Sequence, residues 1–466
     1  MPRRALFTTL AALFVAGAVL RLLLCWANPP ENAFDDHFEP ILAIMKTGSI
    51  PAKDACFQCY QPPVFYWTSA MIGKAVLSAG MSHDAMMKLL QFVACGAGIF
   101  TLALCYPILR RFPLPDLAIV LAFGTVCLLP RHVYMSAMHG NDTTACLLVA
   151  LTMYLTLLAA ERGFPGGLML AVGAAATLAV FTKYNALAVI PAIVGAVIEG
   201  WRRGAFPSRR RLAFAVLGAV VLPSAMLAGS MVHNARRYGS ALPSNFAIYD
   251  PSEHRPRDPD GVSFWTFEPW QKLRDPVLVP GQLHSFWTLI YSGMWFDTEP
   301  YFVSEVGTDD GWWESYYAWY RGEGPYPGGH PALSRATRTI AAGLFLLGLA
   351  PLALVLAGLG LVLTGRWRGV LPETPVVSVG LVFLTTLLAF NVAGVIALTL
   401  RLPVYNAMKP SYLLISTPSF AILLALGASL CDRRAFLRRS TAVAFGALFA
   451  LAAAHVAQLT VAMLRA

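Results

Sequence analysis

Charge is what this sequence has little of. Of its 466 residues, 13% are Asp, Glu, Lys or Arg and 57% are apolar, where soluble domains carry roughly 25% and 45–50%. That scarcity excludes a soluble globular protein. No internal repeat is visible, which disfavours transporter folds built from duplicated halves. A second Cys-x-x-Cys pair is missing as well. Cys56-Phe57-Gln58-Cys59 stands alone, so a zinc site, which would need two more ligands nearby, is disfavoured; on the outer, oxidising side a local disulfide that stiffens the loop is one reading, left open by the sequence. Cys25, Cys95, Cys105, Cys127 and Cys146 lie in apolar runs and read as small packing residues. The N-terminal Met1-Pro2-Arg3-Arg4 leads into an apolar run too long for a signal peptide, with no convincing cleavage site, and reads as a retained first span.

What the chain does have is long apolar runs. About eleven are long enough to cross a bilayer, near 5–26, 86–109, 116–131, 142–160, 167–182, 184–200, 211–231, 338–363, 376–399, 411–430 and 441–462. Lipid leaves no backbone group unpaired, so each must be a helix. The expected fold is an all-α polytopic membrane protein.

Arginine sets the expected orientation. Arg3-Arg4, Arg110-Arg111, Arg162, the cluster at Arg202, Arg203, Arg209, Arg210 and Arg211, then Arg366, Arg368, Arg433, Arg434, Arg438 and Arg439 fall in alternate connections. The positive-inside rule puts these in the cytoplasm with the N-terminus, so a multi-pass protein of the cell (inner) membrane is expected. The net charge of +10 then reflects topology and contact with anionic headgroups. It does not point to nucleic acid.

Two outer connections are long, residues 27–85 and 232–337, and they divide the chain into a membrane module 1–231, an aromatic-rich outer segment 232–337 and C-terminal spans 338–466. The stretch from Val64 to Ala79 is expected to lie in the membrane interface, with Tyr66 and Trp67 at headgroup level. The second outer connection holds seven of the eleven tryptophans, Trp265, Trp270, Trp287, Trp295, Trp312, Trp313 and Trp319. An interfacial belt explains them; so does stacking on sugar rings or a lipid chain, with Trp295 and Asp297 in Tyr291-Ser-Gly-Met-Trp-Phe-Asp297 the pair most suited to that.

Four small constellations fall on the outer side: Asp35-Asp36-His37, Gln61-Pro62-Pro63, His139-Gly140-Asn141-Asp142 and Thr182-Lys183-Tyr184. An acid and a lysine at membrane depth are expensive to hold, so function is their default reading. Snorkelling of Lys183 and N-capping by Asp142 are the plain alternatives.

In that order the four resemble the polyprenyl-phosphate-sugar-dependent glycosyltransferases of the GT-C fold, the superfamily of protein O-mannosyltransferases and the lipid A aminoarabinose transferase. The acidic pair after the first span is Asp35-Asp36; the turn is Gln61-Pro62-Pro63, where the family has lysine or histidine before Pro-Pro; the acidic pair-member at a span start is Asn141-Asp142; the Thr-Lys turn is Thr182-Lys183. The resemblance covers residues 5–200 well. It implies GT-C architecture and transfer of one sugar from a polyprenyl-phosphate-linked donor to an acceptor glycolipid, glycan or protein. Asp35 is the implied base, with Asp36 and Asp142 as further catalytic groups, Asp142 either orienting the donor or sharing a divalent metal, Mg2+ or Mn2+, with Asp36. Lys183, Tyr184, Gln61, His139 and Asn141 are implied donor or phosphate contacts, and Trp295, Asp297 and His37 sugar or acceptor contacts. Gln61 departs from the family's basic residue, so one phosphate or acceptor contact is expected to be lost. A lipid-linked-sugar transporter or flippase is the alternative, although its charges should lie mid-span.

Overall fold

The computed structural model describes the chain except for residues 1, 33–36, 245–261, 275, 278–284, 299–301, 303–332, 402–407, 433 and 466. Asp35 and Asp36 therefore lie outside the described residues, as do Trp312, Trp313 and Trp319.

Every regular element among the described residues is helical. Helix α1 (Arg3–Ala27) is followed by α2 (Phe38–Thr47), α3 (Val64–Ser78), α4 (His83–Leu109), α5 (Asp116–Leu128), α6 (Pro130–Ala137), α7 (Asp142–Glu161), α8 (Gly166–Val180) and α9 (Val189–Arg202). Next come α10 (Arg209–Val216), α11 (Leu222–Tyr238), the short α12 (Val262–Trp265) and α13 (Pro269–Arg274), and α14 (Phe286–Trp295). The chain closes with α15 (Arg335–Leu347), α16 (Leu349–Leu363), α17 (Pro375–Arg401), α18 (Thr417–Cys431) and α19 (Ala435–Arg465). Among the described residues, ten continuous or kinked rods are long and apolar enough to span a bilayer. With the shorter apolar helix Gly166–Val180 they follow the eleven expected spans one for one.

At 15 residues, α8 is about 22 Å long against a hydrocarbon core of about 30 Å.

Proline breaks the third rod. Pro130 has no N–H and pushes Leu129 into an extended conformation (φ −61°, ψ 113°), ending α5 and releasing carbonyls at its C-terminus. Arg21 of α1 caps one of them: its guanidinium donates to Cys127 O at 2.6 Å, and it also donates to Gly17 O of its own helix at 2.8 Å and meets His132 Nδ1 at 2.9 Å. A guanidinium can remain inside the membrane only with such partners.

Close packing elsewhere depends on glycine. A Cβ on Gly358 of α16 would collide with Leu423 O of α18, and a Cβ on Gly427 of α18 with Leu354 O of α16. Each glycine lies one turn beyond the carbonyl that the other contacts, so the two backbones touch reciprocally at the crossing.

The expectation for residues 64–79 is corrected in part. Phe65, Tyr66 and Ala70 of α3 are buried in a small separate core with Phe38, Ile41 and Ile44 of α2 and Met86, Met87 and Leu90 of α4. Tyr66 is 2% exposed while its neighbour Trp67 is 49% exposed, because adjacent helical positions point about 100° apart. Only Trp67 is left facing outward.

Ion pairs gather at one end of the bundle. Arg111 meets Glu161 at 2.9 Å, Arg203 meets Glu199 at 2.8 Å and Glu373 at 2.9 Å, and Arg368 meets Glu373 at 2.6 Å. These tie the arginine-rich connections to one another. The other end carries the loop 48–63, the α6–α7 turn and the α8–α9 turn.

Candidate functional site

The site forms where two short turns are joined. Asn141 and Asp142 open α7, and Lys183 precedes the 3₁₀ turn Tyr184–Ala188 that leads into α9. Lys183 Nζ lies 2.8 Å from Asp142 Oδ2 and donates to Asn141 Oδ1 at 3.0 Å. The Asn141 amide donates to Thr182 O at 3.1 Å and to Gln61 Oε1 at 3.4 Å. Its donors are thus committed to the Thr182 turn and Gln61, which leaves its oxygen to receive the lysine.

The Gln61-Pro62-Pro63 turn is fixed to the same place. Val64 N donates to Phe181 O at 2.9 Å, and the two prolines restrict the turn leading into it. The Gln61 amide donates to Tyr60 OH at 2.7 Å and Gln58 Oε1 at 3.4 Å, which turns Oε1 toward Asn141. Three of the four sequence constellations therefore converge. His37, from the fourth, reaches the same region: its ring lies where a Cβ on Gly140 would come within 3.3 Å of it, and its Nδ1 shares a hydrogen bond of 2.8 Å with Tyr66 OH.

Burial governs the electrostatics. Asp142 and Lys183 are about 5% and 6% exposed, so neither capping at a wet helix end nor snorkelling describes them. His139 is stacked on Phe38 at 4.1 Å and packs near Phe65. Burial, aided by His37, lowers it to about 3, so it is neutral at ordinary pH. His37 is lowered to about 3, mainly by burial, with Lys183 and Lys409 adding to the shift and Asp142 opposing it. Both read as neutral hydrogen-bonding or packing rings.

Several residues here carried no recognised signal. Lys183 faces the ring of Tyr412 at 5.6 Å, and Asn185 donates to Tyr412 O at 3.0 Å, across 227 residues of sequence. Lys409 is buried beside them at 5% exposure. Lys53 donates to Gln61 O at 2.6 Å and lies 6.0 Å above the Tyr184 ring. Cys56 and Cys59 form a disulfide in the loop that carries Lys53 and Gln61. The local disulfide that the sequence left open is formed.

The expected sugar contacts, Trp295 and Asp297, are both buried. Trp295 is 6% exposed and packs its indole against Gly348, and buried Asp297 accepts from Phe302 N at 2.7 Å. Neither makes a described contact with the Asp142–Lys183 group. As for a metal, no three His, Cys, Asp or Glu side chains come together among the described residues. Asp142 Oδ1 is a buried carboxylate oxygen with no hydrogen-bond partner among them. It is the atom at which a cation could be received, since Lys183 holds the other oxygen.

A protein-family model described as dolichyl-phosphate-mannose-protein mannosyltransferase matches residues 60–228. That stretch runs from the Pro-Pro turn through Asn141, Asp142, Thr182 and Lys183, so the family model meets the resemblance at three of the four motifs, Asp35-Asp36 lying before it. No curated protein matches the chain. Among solved structures, the Archaeoglobus fulgidus oligosaccharyltransferase in complex with Zn and sulfate is 14% identical with a TM-score of 0.49, covering 95% of this chain and 53% of that one. ArnT from Cupriavidus metallidurans bound to undecaprenyl phosphate is 14% identical with a TM-score of 0.36, over 91% of this chain and 78% of that one. This chain spans about half the length of the oligosaccharyltransferase chain.

Proposed function

We propose that this protein is a membrane glycosyltransferase that moves one sugar from a polyprenyl-phosphate donor to an acceptor hydroxyl on the extracytoplasmic face. The observation that carries this reading is the buried Asp142–Lys183 pair at one mouth of the bundle, inside the stretch matched by a mannosyltransferase family model. A buried ammonium held in place by an amide and a carboxylate is preorganised to meet a phosphate without reorganising.

In the proposed reaction the acceptor hydroxyl gives its proton to Asp35 as its oxygen bonds to the anomeric carbon. The bond from that carbon to the phosphate oxygen breaks, and polyprenyl monophosphate leaves with the electron pair. A single displacement inverts the anomeric centre. Lys183 stabilises the charge growing on the leaving oxygen, and general-base help from Asp35 contributes about 10²–10⁴ in rate. A divalent ion, if used, would be held by Asp142 Oδ1 and Asp36 and would add positive charge near the phosphate. The arginine-rich end faces the cytoplasm in this reading.

Asp35→Asn tests the base. Transfer should fall by that same factor while donor binding is kept. Full activity in the variant would overturn the assignment.

A further inference from the structure

The sequence predicts a lost contact at Gln61, where the resembling family has a basic residue. The structure supplies an ammonium there from another position. Lys53, eight residues upstream, brings its Nζ to within 2.6 Å of the Gln61 carbonyl oxygen, on the turn whose side chain reaches Asn141 and, through it, Lys183. The loop is pinned on both sides. Lys53 N donates to Tyr238 OH at 3.2 Å, and Phe57 N donates to Glu39 Oε2 at 3.2 Å within the four-residue Cys56–Cys59 disulfide loop.

The ammonium itself is under-partnered. Its three N–H donors have one oxygen acceptor among the described residues, Gln61 O, and the face of Tyr184 at 6.0 Å. No carboxylate pairs with it among those residues, whereas Lys183 has Asp142. Burial lowers the Lys53 ammonium to about 8, the direction expected of a cation set into a protein wall without a counter-ion. A positive group fixed in a wall, with donors to spare and connected through two side-chain amides to a second ammonium, suits an anion that arrives with the substrate.

We infer that Lys53 is a second anion-binding residue of this site, one that contacts the phosphate of the polyprenyl-phosphate donor and takes the place of the basic side chain absent at position 61. This rests on the lipid-phosphate reading above. Gln61 then serves as the mount for two cations, its carbonyl holding Lys53 and its side chain, through Asn141, holding Lys183.

The test is binding of polyprenyl monophosphate, with uncharged polyprenol as control, to the purified full-length protein. Lys53→Met should weaken monophosphate binding about 10-fold or more, the range for loss of a charge-assisted contact, and leave polyprenol binding unchanged. Lys53→Arg should stay within about threefold of the original protein, since it keeps the charge. Should the methionine variant fail to fold, Lys53→Gln repeats the test with a donor but no charge. Unchanged monophosphate affinity in the Lys53→Met and Lys53→Gln variants, or an equal loss for both lipids, overturns the role of Lys53 alone. Failure of the unsubstituted protein to prefer monophosphate over polyprenol overturns the reading on which it rests.

Discussion

Lys183 Nζ sits 2.8 Å from Asp142 Oδ2, with the two side chains 8% and 6% exposed, and neither residue has another full charge within hydrogen-bonding distance among the described contacts. A buried pair of this kind is costly to break from one side, because the remaining charge stays in a poorly solvated place. Lys183→Met or Asp142→Asn alone should destabilise the protein by about 3–5 kcal/mol, read as a lower unfolding temperature in detergent. The double variant should recover most of that loss and remain inactive. Recovery of activity as well would remove the pair from the chemistry.

The crossing of α16 and α18 makes a purely structural prediction. Gly358→Ala and Gly427→Ala each put a methyl group against a backbone carbonyl that cannot rotate away. Each should cost about 1–3 kcal/mol, the range for overpacking, and the two together should cost less than their sum, since one helix displacement relieves both clashes. Additive losses would mean that the helices do not move as a unit.

His139 gives a pH dependence with a definite sign. Its value in the folded state, about 3, lies below its ordinary value near 6.5, so the unfolded chain takes up a proton that the folded chain refuses. The contribution is complete above pH 6.5 and declines as pH falls toward 3, by about 1.4 kcal/mol per pH unit. His139→Phe, which keeps the stack on Phe38, should flatten that part of the acid profile. An unchanged slope between pH 6.5 and 5 would contradict the burial argument.

Much of this was legible because the membrane enforces simple rules. Length and hydrophobicity alone place all eleven spans, and the arginine clusters fall together at the bundle end where ion pairs cross-link them. That Asn141-Asp142 and Thr182-Lys183 belong to one outer site was anticipated from the cost of burying charge and from family order, although not that Asp142 would pair with Lys183. Contacts that depend on register between distant segments were not. Nothing local marks Tyr412 as the ring facing Lys183, or Lys53 as the ammonium at the Gln61 carbonyl, since each is brought in by packing across many residues. Tyr66 was misplaced because an aromatic beside an exposed tryptophan reads as part of the same interfacial belt, and the sequence does not reveal that α2 covers it. Trp295 stands out by composition, yet its partner is Gly348, a position with no signal at all.

The central claim is that the Asp142–Lys183 site handles a lipid-linked sugar phosphate chemically. The most direct test reconstitutes the full chain in liposomes with a polyprenyl-phosphate sugar labelled in the lipid and follows release of free polyprenyl monophosphate in the presence of a cell-envelope acceptor fraction. The account predicts acceptor-dependent release by the unsubstituted protein and a loss of about 10² or more in Lys183→Ala, the scale for removing one group that stabilises charge in a transition state. Movement of intact donor across the bilayer with no release of monophosphate would contradict it and point to a transporter.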